Sequence, residues 1–220
     1  MGKTPDFIFF LGGHDAEMLE IRDILKSRDI PFFDKGLSWG AKLSEYRGEL
    51  ESLTDDQLPV FVELGLDRDY PERAINIDHH DERSGKDKPT SLEQLARLLN
   101  IQLNRRQQLI AANDRGHIEA MLELCATEAE VQEVRKLDLE AQGVTDNDQK
   151  LTRESVDDNI EKIGHTAAII NSKTTHTSII FDMLYDKYRY IFVITPDHKL
   201  NYSGDGRMIL RLVYAAKSLS

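Results

Sequence analysis

The chain has 220 residues, of which 40% are hydrophobic and 30% charged, a balance typical of a soluble globular protein of one or two domains. Its 39 Asp and Glu residues and 28 Lys and Arg residues give a net charge of −11, which disfavours long duplex nucleic acid as a partner. The single cysteine excludes an internal disulfide and suits the reducing cytoplasm, where we expect the protein. The early apolar run Phe7–Leu11 is too short for a signal peptide or a membrane span.

The first part of the chain predicts strands that alternate with helices. An apolar run at 6–11 predicts a strand, and apolar residues at helical spacing predict a helix over Asp15–Arg28. A short apolar run at Ile30–Phe33 completes a β-α-β unit, which favours a parallel sheet. The pattern continues with a weaker helix and two further strands, predicted at Ala41–Leu53, Pro59–Leu64 and Ala74–Ile77.

Helices dominate the next part of the chain. Two capping boxes, Thr90 with Glu93 and Thr127 with Glu130, each predict the start of a helix. A further helix is predicted between them at Arg105–Ala112. The helix that begins at Thr127 is highly charged, which fits a solvated helix or one that binds a partner.

The pattern changes in the last third of the chain. Residues 146–165 are polar and partly helical, and we predict that they connect two domains, at 1–145 and 166–220. The predicted fold is α/β, with a parallel-sheet domain followed by a second, smaller α/β domain. In the second domain we predict a strand, a helix, two strands, a turn and a final helix or strand, at Thr166–Asn171, His176–Lys187, Tyr190–Thr195, Leu200–Ser203, 204–207 and Met208–Lys217.

Acidic and imidazole groups follow several of the predicted strands and helices. The clearest case is Asp78-His79-His80, directly after the strand at Ala74–Ile77. Because open α/β sheets collect functional groups at the carboxyl ends of their strands, we expect these side chains to converge. Carboxylates with imidazoles suit Mn²⁺, Fe²⁺ or Zn²⁺ better than Ca²⁺, and this many acids could hold two ions. The remaining members of the set are Asp15, Glu17, Glu63 and Asp114.

Each of these residues also fits an ordinary structural role. Asp15 could cap the first helix, and Asp78 could cap the segment that follows its strand. Glu63 could be a charge at a strand edge, and Asp114 could lie in a turn beside Gly116. The residues favour a metal site only when they are taken together.

The order of these motifs resembles the DHH phosphoesterase superfamily, which includes manganese pyrophosphatases, single-strand exonucleases and phosphodiesterases of short oligonucleotides and cyclic dinucleotides. The resemblance covers about residues 6–116, and its fullest match is the triplet Asp78-His79-His80. It implies that the first histidine ligates metal, that the second approaches the substrate phosphate, and that His80 and Asp78 have catalytic roles. The metal ligands implied by the other motifs are Asp15, Glu17, Glu63 and Asp114.

The chain departs from the family pattern at three positions. Glu17 and Glu63 stand where the family has Asp, and Leu11 stands where it has a His ligand. A longer acid changes the metal geometry, and a leucine cannot ligate. These departures leave open a non-catalytic module that binds metal or a nucleotide on the same fold.

A glycine-rich turn in the second domain is the predicted contact to substrate. Gly204 and Gly206 could expose backbone N–H groups to an anion, and Arg207 could bind that anion through its guanidinium fork. An ordinary turn explains the same residues equally well.

The resemblance therefore implies a metal-dependent phosphoesterase that would hydrolyse a phosphodiester, a phosphomonoester or a pyrophosphate. The expected cofactor is one or two Mn²⁺ ions, with Fe, Zn or Mg as alternatives, which would lower the pKa of a bound water. The expected substrate is a small phosphorylated molecule or a short oligonucleotide. No membrane partner is expected, and a homodimer is compatible with the sequence.

Overall fold

A computed structural model describes residues 6–38, 40–80, 83, 85 and 87–207 of the chain. The chain forms two compact units that divide between Gln142 and Gly143, and each is described by itself below. Gly143 has φ +74°, a conformation that suits glycine and ends the preceding helix. Both units combine helices with a β-sheet, so the predicted α/β class is confirmed.

The first unit is built on a four-stranded sheet whose described strands are all parallel, in the order β2-β1-β3-β4. Its strands are β1 (Asp6–Leu11), β2 (Phe32–Asp34), β3 (Gln57–Val62) and β4 (Ile75–Ile77). Its α-helices are α1 (Ala16–Ser27), α2 (Arg47–Glu51), α3 (Ser91–Leu98), α4 (Arg105–Glu123) and α5 (Glu128–Ala141), and a 3-10 helix spans Leu43–Tyr46.

Strand register aligns the carboxyl ends of the three strands that matter for the site. Leu11 at the end of β1 pairs with Val62 at the end of β3, and Val62 pairs with Ile77 at the end of β4. The residues that follow these strands therefore emerge together at one edge of the sheet.

Apolar side chains cover both faces of this sheet. Successive side chains of a strand point to opposite faces, and both faces of a parallel sheet are buried. On one face, residues such as Phe9 and Val60 pack against Ile21 and Leu25 of α1 and against α3, α4 and α5. The opposite face packs on the 3-10 helix, and its fully or largely buried members are Ile8, Phe10, Leu43, Tyr46, Phe61 and Leu64. Burial of one such side chain contributes about 1.5–3 kcal/mol, so the sheet is a stable platform for the edge.

The second unit contains a mixed sheet in the order β5-β6-β7-β8, parallel between β6 and β7 and antiparallel at both outer pairs. Its elements are α6 (Asp146–Asn159), β5 (Ile160–Ile163), β6 (Ala167–Asn171), α7 (Ser178–Leu184), β7 (Tyr190–Ile194) and β8 (Leu200–Ser203). The elements predicted for 166–203 are present: the last strand has the predicted bounds, the other two strands are each one residue shorter, and the helix begins two residues later and ends three residues earlier.

The segment predicted as a connector, 146–165, carries α6 and β5 and belongs to the second unit. A capping box of Thr145 and Asp148 starts α6, and this box was not recognised in the sequence. The helix buries polar residues, Thr152 and Ser155, and therefore lacks the apolar stripe that identifies a packed helix.

Two further local predictions differ from the structure. The weak helix predicted at Ala41–Leu53 is a 3-10 turn followed by the short helix α2. The helix predicted at Arg105–Ala112 continues to Glu123, with non-helical backbone at Gly116 and His117. The element predicted at Met208–Lys217 lies outside the described residues. Within the described ranges, no helix has the length and apolar character needed to cross a membrane.

Candidate metal centre

The candidate site lies at the edge where β1, β3 and β4 end. Glu63 directly follows β3 and has φ +53°, a left-handed conformation that is uncommon for a residue with a side chain. Its carbonyl oxygen stands 2.3 Å from where a Cβ on Gly12 would lie, so only glycine fits after β1. Strained backbone of this kind is concentrated at functional sites.

Four side-chain atoms converge at this edge: Oε2 of Glu17, Oε1 of Glu63, Nε2 of His79 and Oδ2 of Asp114, all within 4.8 Å of one another. His79 Nε2 lies 3.9 Å from the Glu17 oxygen and 3.7 Å from the Glu63 oxygen, and it contacts Asp114 directly. All four atoms are buried, and within the described residues none has a partner in hydrogen-bond geometry. Because unsatisfied buried polar atoms are costly, their convergence on one point fits a bound cation. We call these residues the four-residue cluster.

Glu17 is held by the starts of two helices. Asp15 caps α1, and its Oδ1 accepts a hydrogen bond of 2.8 Å from the Met18 backbone N–H. Glu17 lies in the first turn of α1, is 2% exposed, and uses Oε1 to accept a 3.1 Å hydrogen bond from the Leu92 N–H of α3. Its other oxygen is thereby fixed toward the cluster.

Asp15 caps α1, which is one of the two roles that the sequence suggested for it. It is not among the four converging residues. It lies near the cluster, because its charge contributes to raising the pKa of Glu63. Its predicted role as a metal ligand stays a prediction.

Asp114 reaches the cluster from helix α4, immediately before the helix distorts at Gly116 and His117. It therefore lies in the last regular turn of the first part of α4, and not in a turn outside the helix. The neighbouring Arg115 contacts Glu93, the residue that closes the capping box at the start of α3. This ion pair links α4 to α3 beside the site.

A buried ion pair lies on the other side of Asp114. Arg135 of α5 donates a 3.0 Å hydrogen bond to Asn113 Oδ1 and a 2.7 Å hydrogen bond to Asp138 Oδ2. All three side chains are buried. The charge of this helix predicted a solvated helix or one that binds a partner, and the sequence signal for the buried pair was the spacing of opposite charges at i, i+3.

Electrostatics in the cluster favour a cation. Burial, followed by repulsion from neighbouring acids, raises the pKa of Asp15 to about 6 and of Glu63 to about 7. The same two causes raise the pKa of Glu17 well above its ordinary value. Burial alone would lower the pKa of His79, but its contact with Asp114 outweighs burial and the net shift is upward. A bound cation would remove the repulsion that these shifts report.

Asp78 and His80 form a second arrangement beside the cluster. Asp78 Oδ1 accepts a 2.9 Å hydrogen bond from the His80 N–H and lies 3.2 Å from His80 Nδ1. Arg83 donates to the other Asp78 oxygen at 2.7 Å. The hydrogen bond to Asp78 is the main cause that raises the pKa of His80 to about 9. Asp78 thus contacts both the N–H and the ring of His80, and its predicted catalytic role stays a prediction. His80 lies close enough to Glu63 and His79 to share a metal with them.

The substrate residues predicted in the second unit lie in a surface turn. A Cβ on Gly204 would stand 2.7 Å from Tyr202 Oη and 2.8 Å from the Arg189 carbonyl oxygen, so local packing already requires glycine there. Gly206 is exposed, and the Arg207 side chain is 87% exposed with its Nε 4.0 Å from Asp205 Oδ1. The role of this turn in substrate binding stays a prediction.

The structure thus brings together Glu17, Glu63, His79 and Asp114 from the predicted ligand set, with His80 next to them. Leu11, where the resembled family has a histidine, is buried in the core at 1% exposure. No protein-family model matches the chain, and no curated protein matches it in sequence.

Proposed function

We propose that the protein is a divalent-metal-dependent phosphoesterase whose metal is held by the four-residue cluster. The observation that carries the proposal is that four buried atoms without hydrogen-bond partners among the described residues point to one position. An apolar or hydrogen-bonded core would leave no such group of atoms. A cation satisfies all four at once.

The donor set favours Mn²⁺. Three carboxylate oxygens and one imidazole nitrogen form a mixed site that suits Mn²⁺ or Fe²⁺, with Zn²⁺ and Mg²⁺ as further candidates. Four protein donors leave positions free on an octahedral ion. We propose one Mn²⁺ ion at the cluster, with a second ion requiring Asp15, or His80 in its neutral form, as an additional donor.

The ion would supply Lewis-acid stabilisation of phosphoryl charge and a water ligand of lowered pKa. His80 would add a second positive group, because its raised pKa keeps the imidazole protonated at neutral pH. Asp78 contacts the backbone N–H and the ring of His80 through Oδ1, and Arg83 donates to the other oxygen of Asp78. A protonated imidazole fixed beside a metal is suited to take up charge that grows on a phosphoryl oxygen during hydrolysis.

A non-catalytic metal-binding or nucleotide-binding module is the second candidate. The observation that favours it is the buried Leu11. The resembled family has a histidine ligand at this position, so the apolar side chain leaves any second metal position with one donor fewer. A single tightly held ion would still bind a phosphate ligand without turning it over.

The test combines metal analysis with an activity screen. Protein purified without chelator is analysed for transition metals, then assayed with Mn²⁺ against a phosphomonoester, a phosphodiester and pyrophosphate. We expect about one metal per chain and hydrolysis of one of the three classes. A protein that takes up no divalent metal contradicts the proposal, and one that takes up metal but hydrolyses none of the substrates favours the binding module.

A further inference from the structure

A cavity of about 210 Å³ adjoins the four-residue cluster at the same edge of the first sheet. Glu63 of the cluster and His80 both line it, so a molecule in the cavity would lie beside the metal position. Glycines from the segments after β1 and β3 line it as well, namely Gly12, Gly13 and Gly65. Gly13 and Gly65 add no side-chain atoms to this lining, whereas glycine at position 12 is required by the close approach of the Glu63 carbonyl.

Lys42 lines the cavity from a segment that is fixed by backbone hydrogen bonds. The Gly65 N–H donates to the Ala41 carbonyl at 2.8 Å, and the Leu43 N–H donates to the Gly65 carbonyl at 2.9 Å. The Lys42 side chain extends over Gly65, where a Cβ on that glycine would stand 3.8 Å from Lys42 Cγ. The lysine is thus tied to the residues that directly follow the ligand Glu63.

Lys42 carries the one Lys or Arg charge among the described residues that line the cavity. Within the described part of the chain its ammonium forms no hydrogen bond or close ion pair, and the acid that its charge acts on, Asp67, lies outside the lining and accepts two hydrogen bonds from Ser44, at 2.9 and 2.7 Å. Asp78 is paired with Arg83 and His80. Glu63 belongs to the metal cluster, so a bound cation would neutralise it.

The size of the cavity limits what can enter. Its volume of about 210 Å³ is below the 300–1,000 Å³ typical of sites for drug-sized ligands. A phosphoryl group with a few attached atoms fits this volume, and because the cavity opens to solvent the rest of a larger substrate can extend outside it.

We propose that this cavity is an anion subsite in which Lys42 binds a phosphoryl group of the substrate next to the metal centre. The proposal rests on the proposed function, because it takes the four-residue cluster as the reactive end of the site. Lysine binds phosphate as a point charge, and a phosphate between Lys42 and a metal would contact positive charge on both sides. The substrate is then a small phosphate compound whose phosphoryl end enters the cavity while the remainder stays outside.

The test is calorimetric titration of inorganic phosphate into Mn²⁺-loaded protein, with acetate as a second probe that separates phosphate from carboxylate binding. Lys42→Met keeps the length of the side chain and removes its charge, and Lys42→Arg restores the charge. Lys136→Met is the matched control, because Lys136 is an exposed lysine paired only loosely with Glu140 at 3.7 Å on α5. The Mn²⁺ affinity of each variant is measured first.

We expect Lys42→Met to raise the phosphate Kd roughly tenfold, since a charge-assisted contact is lost, while its Mn²⁺ affinity stays within twofold of wild type. Lys42→Arg and Lys136→Met should bind phosphate like wild type. An unchanged phosphate Kd in Lys42→Met overturns the subsite, and so does acetate binding as tightly as phosphate.

The two proposals fail in different ways. Lys42-dependent phosphate binding without any hydrolysis would defeat the catalytic proposal and support the subsite. Hydrolysis with a phosphate Kd and a KM that do not depend on Lys42 would support the catalytic proposal and overturn the subsite.

Discussion

Asp138 accepts a 3.2 Å hydrogen bond from the backbone N–H of Ala16, which precedes it by 122 residues. Ala16 lies between Asp15 and Glu17, so helix α5 holds the segment that carries two of the predicted ligands. The same Asp138 is bonded to Arg135, and Arg135 is bonded to Asn113, next to the predicted ligand Asp114. One buried ion pair therefore contacts both chain segments that approach the cluster from the helices.

We predict that Asp138→Asn weakens Mn²⁺ binding by about 10–100-fold, the loss typical of partners that orient metal ligands. The amide keeps an acceptor for the Ala16 N–H but removes the charge that pairs with Arg135. Isothermal titration with Mn²⁺ measures the affinity, and thermal unfolding of the metal-free variant measures its stability separately.

Arg105→Gln is the control for Asp138→Asn. Arg105 also joins α4 to α5, through Glu130 at 2.9 Å, but at the exposed start of both helices. We expect this variant to keep the Mn²⁺ affinity of wild type even where its melting temperature falls. Equal Mn²⁺ affinities in Asp138→Asn and wild type would reduce the buried pair to a purely structural role.

His79→Ala should abolish most of the thermal stabilisation by Mn²⁺. Ligands drawn from β3, β4, α1 and α4 come together only in the folded state, so metal binding stabilises that state. At free Mn²⁺ of 100 times the Kd, linkage gives about 2.7 kcal/mol, which corresponds to a rise of roughly 5–10 °C in the wild type. Differential scanning calorimetry with and without Mn²⁺ measures the shift.

His14→Ala is the control for His79→Ala, because His14 is exposed although it lies next to Asp15 in the sequence. We expect His14→Ala to retain the full shift in melting temperature. A shift that survives in His79→Ala would place the metal outside the four-residue cluster.

The sequence predicted the first sheet well because each strand is a short apolar run that ends in polar residues or glycine. It also predicted two of the capping boxes, at Thr90 and Thr127, from their local spacing, and missed those at Asn104 and Thr145. It missed α6 as a packed helix, because Thr152 and Ser155 occupy its buried face. A helix that packs through polar residues shows no periodic pattern of apolar residues in its sequence.

The candidate site could be predicted in its residues but not in its geometry. The acids and imidazoles at the ends of predicted strands identified Glu63 and His79 as neighbours, because the carboxyl ends of parallel strands lie at one edge of the sheet. The left-handed backbone of Glu63 depends on the close approach of Gly12, a contact between distant segments. The buried position of Arg135 likewise depends on how α5 packs, which charge alone does not reveal.

We predict that Glu17→Gln makes the metal-free protein more stable and weakens Mn²⁺ binding by more than about 100-fold. Burial, followed by repulsion from Asp114 and Glu63, opposes the charged form of Glu17 and raises its pKa, and a neutral amide avoids this cost, so the metal-free fold gains stability. It also removes a ligand, which costs more than loss of an orienting partner. Chemical denaturation and Mn²⁺ titration measure the two effects.

Glu20→Gln is the control on the same helix. Glu20 is also buried, but its carboxylate is paired with Arg106 at 2.6 Å and with Gln107 at 2.9 Å. This variant should lose stability and keep its Mn²⁺ affinity. If Glu17→Gln behaved like Glu20→Gln in both measurements, Glu17 would be a structural acid and not a ligand.

The stability of the metal-free protein should fall as pH rises from 5.5 to 8. The pKa values of Asp15 and Glu63 rise in the folded state to about 6 and about 7, from 3.8 and 4.5. The folded protein therefore binds more protons than the unfolded chain between about pH 4 and 7, and by linkage its free energy of unfolding decreases across that window. The raised pKa of His80 extends the decrease toward pH 9.

Mn²⁺ should reverse this pH dependence, because the metal replaces the protons and binds better as they leave. We expect the shift in melting temperature caused by Mn²⁺ to be larger at pH 8 than at pH 5.5. Calorimetry of chelator-treated and Mn²⁺-loaded protein at both pH values measures it. A metal-free melting temperature that rises between pH 5.5 and 8 would contradict the clustered, buried carboxylates.

His80→Ala separates an enzyme from a binding module. In an enzyme, His80 acts on charge that develops in the transition state, so the variant should keep its Mn²⁺ affinity and lose about 10²–10³ in kcat.

Asp78→Asn should cause a smaller loss and shift the basic limb of the pH profile downward, because the raised pKa of His80 depends mainly on Asp78. Steady-state kinetics at saturating Mn²⁺ measure both. In a non-catalytic module neither wild type nor variant turns over substrate, and His80→Ala only weakens phosphate binding. A His80→Ala variant that hydrolyses substrate as fast as wild type would remove His80 from the reaction and leave the four-residue cluster to account for it alone.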